Sequence, residues 1–167
     1  MYIFGLNYQS KYSMRLEDEI QQKQFKNVYQ RALINVNFTS IWLLSRQNKI
    51  LKPHNVSIQQ FNILRILKGQ YPKPAPLKLL TERMIDKMSN TSRLVEKLRN
   101  KDLVRRETCP DNRRQVDIMI TQKGLKFLEK LSEIIDNEIK NLEVISEKEA
   151  TELNRILDKL RDVKDIG

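Results

Sequence analysis

A polar run at residues 89–93, with a lysine one turn later, has the most specific chemistry in this sequence. Apolar residues at helical spacing follow the run, so it lies at the start of a predicted helix. In such a position asparagine can pair with adenine, and arginine can pair with guanine O6 and N7. Free N–H groups at a helix N-terminus also suit a phosphate. The candidate DNA-binding residues of this helix are Ser89, Asn90, Thr91, Ser92, Arg93 and Lys97.

Basic residues are concentrated around this run. The segment from Arg83 to Arg114 contains ten basic and five acidic residues, and it carries half of the chain's formal net charge of +10. A positive field of this kind favours polyanionic partners, nucleic acid first and an anionic membrane surface second. The charge therefore favours DNA binding over a simpler explanation, in which Ser89 only caps a helix with a solvated polar start.

A second group of candidate residues lies at a predicted hairpin tip. Arg113 and Arg114 can reach phosphates there, or enter a narrow minor groove, where the potential of DNA is most negative. Asp111 precedes them and can hold the Arg113 guanidinium in place, although an ordinary turn aspartate is the alternative. These residues are predicted to form a DNA-binding wing and its support.

The spacing of apolar residues predicts the elements that carry these side chains. Helical spacing predicts four helices before the hairpin: a long one over about 16–51, one capped by Ser57 and stopped at Gly69, one over 77–84, and one capped by Ser89. The pattern then becomes that of two short strands, 103–108 and 115–120, joined by a turn over 109–113. Thr121 caps the next helix, and a capping box at Ser146–Glu149 opens the last.

This order of elements predicts a mainly α fold with a small β-hairpin wing. It is a winged helix-turn-helix flanked by N- and C-terminal dimerisation helices. The outer helices have more apolar surface than so small a middle can cover, and readers of paired half-sites commonly gain affinity as dimers. The alternative is that the outer helices pack on each other within one chain.

Several short motifs between Ser57 and Gly124 resemble the MarR family of bacterial transcriptional regulators. The most specific pair is an Asp-x-Arg wing followed by a Thr-x-x-Gly helix start. The resembling segments are 57–64, 92–98, 103–106, 111–114 and 120–124. The family usually has glycine at the position of Asp102, where a left-handed residue is expected, so this helix end is predicted to be slightly strained or reshaped.

The resemblance implies a single domain over residues 1–167. Its DNA-binding lobe would span about 57–121, and its dimerisation helices about 15–51 and 122–165. It also implies a homodimer that binds double-stranded DNA at a pseudo-palindromic operator, with base contacts from residues 89–93 and wing contacts from Arg113 or Arg114. The expected function is transcriptional regulation, as a repressor, with a small-molecule effector or an oxidant tuning the affinity for DNA.

Two further features have less specific chemistry. The candidate lining residues of an effector cleft are Phe38, Trp42, Arg46 and His54. Aromatic and cationic groups can hold an aromatic carboxylate. The favoured alternative places Phe38 and Trp42 in a core or dimer interface.

The lone Cys109 lies near arginines that would lower the pKa of its thiol, which makes it a candidate redox residue. Thiol sensors that resemble the family carry their cysteine near the N-terminal helix, which argues against this role.

Other function classes find little support in the sequence. The sequence contains no Gly-rich phosphate loop and no Cys/His spacing typical of a zinc site. It also contains no evident group of titratable residues that could form a catalytic site, so no metal, no cofactor and no enzymatic activity are expected. No apolar run is long enough to span a membrane, and a single cysteine suits a reducing compartment, so a cytoplasmic protein is expected. The alternative function is a winged-helix module that docks an acidic protein partner.

Overall fold

The computed structural model describes residues 14–109, 112–140 and 144–162. The chain divides into two compact units, Met1–Arg46 and Gln47–Gly167.

The first unit contains a short helix, α1 (Leu16–Glu19), and most of a long one, α2 (Val28–Leu51). The prediction of one continuous helix over 16–51 is wrong, because α1 ends at Glu19 and Gln21 adopts a left-handed φ of 53°. A non-glycine residue in that conformation cannot continue a right-handed helix. Within the unit, Arg31 Nε donates a 2.7 Å hydrogen bond to Glu17 Oε1, and this contact lowers the pKa of Glu17.

The second unit begins with a 3₁₀ helix, Lys52–His54, and then α3 (Ile58–Gln70). The predicted cap at Ser57 is confirmed. Ser57 Oγ accepts from the Gln60 N–H, and Gln60 Oε1 accepts from the Ser57 N–H, which forms a capping box. The buried face of α3 contributes Phe61, Ile63, Leu64 and Leu67 to the core of this unit.

Helices α4 (Leu77–Arg83) and α5 (Thr91–Arg99) complete the helix-turn-helix. The prediction that Ser89 caps α5 is wrong, because Asn90 holds that position and its Oδ1 accepts from the Arg93 N–H at 3.0 Å. Both residue types are good caps, so the identity of the cap depends on where the preceding turn ends.

A three-stranded antiparallel sheet follows, with strand order β1-β3-β2. The predicted hairpin is confirmed as β2 (Val104–Cys109) and β3 (Asn112–Ile120), with Val104 opposite Ile120, but the turn is shorter than predicted and β3 begins at Asn112 instead of at residue 115. The third strand, β1 (Ala75–Pro76), pairs Ala75 with Ile118. A two-residue strand that follows Pro74 and contains Pro76 has no alternation of polar and apolar residues, so the sequence predicts only a break there.

Helices α6 (Gln122–Lys140) and α7 (Glu147–Arg161) end the described chain. The predicted caps are confirmed for both: Thr121 Oγ1 accepts from the Gly124 N–H at 2.9 Å, and Ser146 forms a capping box with Glu149. Leu128 and Leu131 of α6 are fully buried in the core of the second unit, whereas α7 has no buried residue.

Candidate nucleic-acid interface

The first turn of α5 presents its polar side chains to solvent, with one exception. Asn90, Ser92 and Arg93 are exposed. Thr91 is only 4% exposed, and its hydroxyl has no hydrogen-bond partner within the described ranges. Five of the six candidate residues of this helix are therefore at least partly accessible, since Ser89 is half-buried and Lys97 is exposed.

Arg93 and Lys97 are four residues apart, so their side chains lie on the same face of α5. Both are exposed. Neither side chain has a hydrogen-bond or ion-pair partner among the residues that the structure describes. The face is therefore a cationic surface that is not neutralised by nearby carboxylates.

The arginines that follow Lys97 in the sequence form ion pairs with carboxylates. Arg99 Nη2 lies 2.5 Å from Glu96 Oε1, Arg106 lies 3.5 Å from the same carboxylate, and Arg105 lies 2.8 Å from Glu107. The hydrogen bond from Arg99 lowers the pKa of Glu96, so this carboxylate stays ionised. Carboxylates therefore partly compensate the positive charge of the arginines in residues 99–106. They do not compensate the charges of Arg93 and Lys97.

A network around Asp86 holds the turn between α4 and α5. Asp86 Oδ2 accepts from Ser89 Oγ at 2.8 Å and from Gln59 Nε2 at 3.4 Å, and Asp86 Oδ1 accepts from the Met88 N–H at 3.1 Å. The Ser89 hydrogen bond is the largest of the contributions that lower the pKa of Asp86. Together with the hydrogen bond from the Ile85 N–H to Asn62 Oδ1 at 3.1 Å, these contacts tie the turn to α3.

The role of Asp86 was not predicted from the sequence. Its partner Gln59 on α3 is 27 residues away in the sequence, and Asn62 is 23 residues from Ile85. The only local signal is the Asp-x-x-Ser spacing of Asp86 and Ser89, which is typical of a capped turn.

The wing is the β2–β3 hairpin. Arg113 and Arg114 lie in β3 close to the tip, and Cys109 ends β2 opposite Asn112, after an irregularity in the register at Thr108/Cys109. The side chains of these residues are outside the described set, as is the whole of Asp111. The roles predicted for Asp111, Arg113, Arg114 and Cys109 therefore stay predictions.

The four candidate effector residues fall in different units. Phe38, Trp42 and Arg46 lie on α2 in the first unit, where the Arg46 Cζ atom lies 5.0 Å from the centroid of the Trp42 ring in a cation–π contact. His54 lies in the 3₁₀ helix of the second unit and is half-buried. Their grouping into one cleft stays a prediction.

A different cleft, of about 530 Å³, lies between α3 and α6 within the second unit. Its walls combine apolar and charged groups, and the guanidinium of Arg65 lies 6.0 Å from the centroid of the Phe61 ring. The lining residues are Phe61, Arg65, Lys68, Gly69, Leu128, Ser132, Ile135, Asp136 and Ile139. None of them was a candidate from the sequence.

The described residues contain neither a metal-binding cluster nor a membrane span. No group of three or more His, Cys, Asp or Glu side chains is arranged to hold a metal ion within the described ranges. None of the described helices is long and apolar enough to cross a membrane.

Comparison with known proteins agrees with the fold and with the motifs. The MarR family model matches residues 56–116. The HTH-type transcriptional regulator MgrA of Staphylococcus aureus is 32% identical over 113 residues, which cover 68% of this chain and 75% of MgrA. PecS, an HTH-type transcriptional regulator of Dickeya dadantii, is 29% identical over 113 residues, 66% of this chain and 68% of PecS.

Solved structures with this fold include two that concern small molecules. The organohalide-sensing regulator RdhR, in its 2,4-dichlorophenol-bound form, has a TM-score of 0.73 at 20% identity, over 84% of this chain and 86% of RdhR. BpsR of Bordetella bronchiseptica, whose DNA binding is regulated by 6-hydroxynicotinic acid, has a TM-score of 0.67 at 17% identity, over 77% of this chain and 91% of BpsR. The chain belongs to the MarR family of transcriptional regulators, which are not enzymes.

Proposed function

We propose that this regulator binds double-stranded DNA as a homodimer and represses transcription from a pseudo-palindromic operator. The observation that carries the proposal is the pair of exposed cations, Arg93 and Lys97, on one face of a recognition helix whose first turn is held in place by Asn90 and Asp86. A helix of this kind reads base edges in the major groove with residues near its N-terminus.

The proposal assigns different roles to the candidate residues. Asn90, Ser92 and Arg93 reach base edges, and Lys97 neutralises a phosphate. Thr91 is buried, so it supports the start of the helix rather than a base contact, and Ser89 positions the turn through Asp86. Arg113 and Arg114 extend the contact to phosphates or to the minor groove, with Asp111 as their support.

The dimer is proposed from the outer helices. On α7 the large apolar side chains of Leu153, Ile156 and Leu160 are exposed and share one face, since they are spaced at i, i+3 and i+7. A helix with such a stripe buries it against another element. We propose the division of the chain accordingly: a DNA-binding lobe over about 57–121, and dimerisation helices over about 15–51 and 122–165.

A small-molecule effector is part of the proposal. The molecules named for BpsR and RdhR, 6-hydroxynicotinic acid and 2,4-dichlorophenol, are aromatic and carry an ionisable group. The cleft between α3 and α6 offers Arg65 and Lys68 beside apolar residues, which suits such a molecule. The grouping of Phe38, Trp42, Arg46 and His54, a redox role for Cys109 and a cytoplasmic location remain untested expectations.

Selection of bound duplexes from a random DNA pool tests the proposal. The purified protein is used at about 150 mM salt, because the affinity for DNA depends steeply on salt. We expect an enriched inverted repeat with half-sites about one helical turn apart. Weak, salt-sensitive binding with no enriched sequence would contradict the proposal, and would favour the alternative of a module that docks an acidic protein.

A further inference from the structure

Two large apolar side chains lie unprotected on the turn that precedes the recognition helix. Ile85 is 83% exposed and Met88 is 93% exposed, the highest value for a large apolar side chain among the described residues. Single exposed apolar residues are common on protein surfaces. These two differ because they share one short turn, which ends at the cap of α5.

The main chain of this turn is fixed at both residues. The Ile85 N–H donates to Asn62 Oδ1 and the Met88 N–H donates to Asp86 Oδ1, each at 3.1 Å. The side chains are therefore presented from a tethered main chain. A turn that is held rigid while it exposes apolar groups to water is suited to a partner that covers them.

The surroundings of the turn indicate what kind of partner covers it. Arg83 and Lys87 flank the two apolar residues, and Arg93 and Lys97 follow on α5; all four are exposed. A partner that complements this surface is polyanionic and offers apolar groups to the two side chains. The major groove of DNA meets both conditions, because each thymine displays a C5-methyl group among the polar base edges.

We propose that Ile85 and Met88 contact thymine C5-methyl groups at base pairs beside those read by α5, and so determine the sequence preference there. This inference rests on the proposed function. Met88 precedes the cap Asn90 by two residues, so it enters the groove with the N-terminus of the helix. Its flexible thioether chain can adapt to a methyl group, whereas the β-branched Ile85 is restricted at χ1.

Replacing one thymine at a time by uracil tests each proposed methyl contact separately. Each thymine of one operator half-site is replaced in turn by uracil, which lacks only the C5-methyl group, and binding is measured for the wild type, Met88→Ala, Ile85→Ala and the double variant. We expect the wild type to bind about fourfold more weakly at one or two positions, the equivalent of one buried carbon group. At those positions the double variant should lose nothing further, because the partner of the methyl group is already absent.

Two further variants separate this effect from others. Met88→Leu keeps an apolar side chain and should keep the sensitivity to uracil. Lys87→Ala should weaken binding to the thymine and uracil duplexes by the same factor, because a phosphate contact does not depend on the methyl group. All the substituted residues are exposed, so each variant should unfold at the temperature of the wild type.

The outcomes distinguish this inference from the function on which it rests. A protein that selects no operator contradicts the proposed function and this inference together. A protein that selects an operator, but whose affinity is unchanged by every uracil substitution, contradicts this inference alone. The same holds if the double variant loses as much affinity on uracil substitution as the wild type does.

Discussion

Gly124, in the first turn of α6, lies against Leu103, which precedes β2, and against Ile120, the last residue of β3. A Cβ atom at this position would lie 2.1 Å from the Leu103 carbonyl oxygen and 2.8 Å from Ile120 Cγ1. The same corner is held by hydrogen bonds from the Thr121 N–H to the Leu103 carbonyl at 3.1 Å and from Thr121 Oγ1 to the Asp102 carbonyl at 2.7 Å. The close approach of the Leu103 carbonyl explains why residue 124, three positions after the cap Thr121, is a glycine.

Gly124→Ala is therefore expected to destabilise the protein. Because the obstructing atom is part of the main chain, the strands and α6 must move apart, at a cost of about 1–3 kcal/mol. Urea unfolding of both proteins measures this loss. Gly69→Ala is the control, since a Cβ atom at Gly69 would have no neighbour within 4 Å and alanine favours the helix. An equal effect of the two substitutions on the free energy of unfolding would contradict the account of Gly124.

Asp86 gives a prediction about pH. The hydrogen bonds of Asp86 lower the pKa of its carboxyl group in the folded state below the value of that group in the unfolded state. The carboxylate therefore stabilises the fold above the unfolded pKa, about 3.9, and the stabilisation is lost as the pH falls through the folded pKa. We expect the difference in free energy of unfolding between the wild type and Asp86→Asn to be constant from about pH 5 to 8 and to shrink below about pH 4.

Urea unfolding over a series of pH values measures that difference, and the other titrating groups cancel because both proteins share them. A difference that grows toward acid pH would contradict the assigned hydrogen bonds.

Local residue chemistry was predictable where it depends on neighbours in the sequence. The caps at Ser57, Thr121 and Ser146 each need only a partner three residues away, and the structure confirms all three. Asp102 also has the left-handed φ, 58°, that was expected for it. The pair of hydrogen bonds from Asp102 and Leu103 to Arg99 and Leu98 closes the end of α5 as in a Schellman motif. The Asp86 network was not predictable, since it depends on how α3 packs against the turn.

At the scale of elements, periodicity predicted the type of each long segment but not every boundary. No glycine or proline lies between Ile20 and Val28, so no helix-breaking residue marks the break after α1; the left-handed Gln21 does. Strand β1 was missed because its two residues are defined by pairing with β3. Both errors arise from tertiary context, which local spacing does not contain.

The wing is expected to contribute to DNA binding as an element. Replacing both Arg113 and Arg114 by alanine should weaken binding to the operator and reduce its salt dependence, by about 0.9 in the slope of log K against log[salt] for each phosphate that is no longer neutralised. Folding should be nearly unchanged, because both residues lie near the hairpin tip. Fluorescence anisotropy at several salt concentrations measures both quantities. Unchanged affinity together with an unchanged slope would contradict the wing assignment.

At the scale of the whole molecule, α2 and α7 are the helices that expose most of their large apolar side chains. Leu51 is the only residue of α2 that is buried, and α7 has none. Several large apolar side chains of α2 are exposed instead, namely Val28, Tyr29, Leu33, Val36, Ile41 and Leu44. This exposed apolar surface agrees with the proposal of a dimer.

Placing lysines on the apolar face of α7 is expected to dissociate the dimer. In a Leu153→Lys/Ile156→Lys variant, charges would have to be buried in the interface without partners, which is strongly unfavourable. Sedimentation should therefore report a monomer, and affinity for the inverted repeat should fall more than affinity for a single half-site. Lys148→Ala, an exposed change on the same helix, should leave the dimer intact. A double-lysine variant that remains dimeric would place the interface elsewhere.

The central claim is that the exposed face of α5 binds operator DNA. Its most direct test is the salt dependence of operator affinity for Arg93→Ala/Lys97→Ala, compared with Lys126→Ala/Lys130→Ala, which removes two exposed lysines at the same spacing from α6. The account predicts a large loss of affinity and a shallower salt slope for the α5 variant, and near-wild-type values for the α6 variant. Equal affinity and equal slope for the two variants, with both folded, would contradict it.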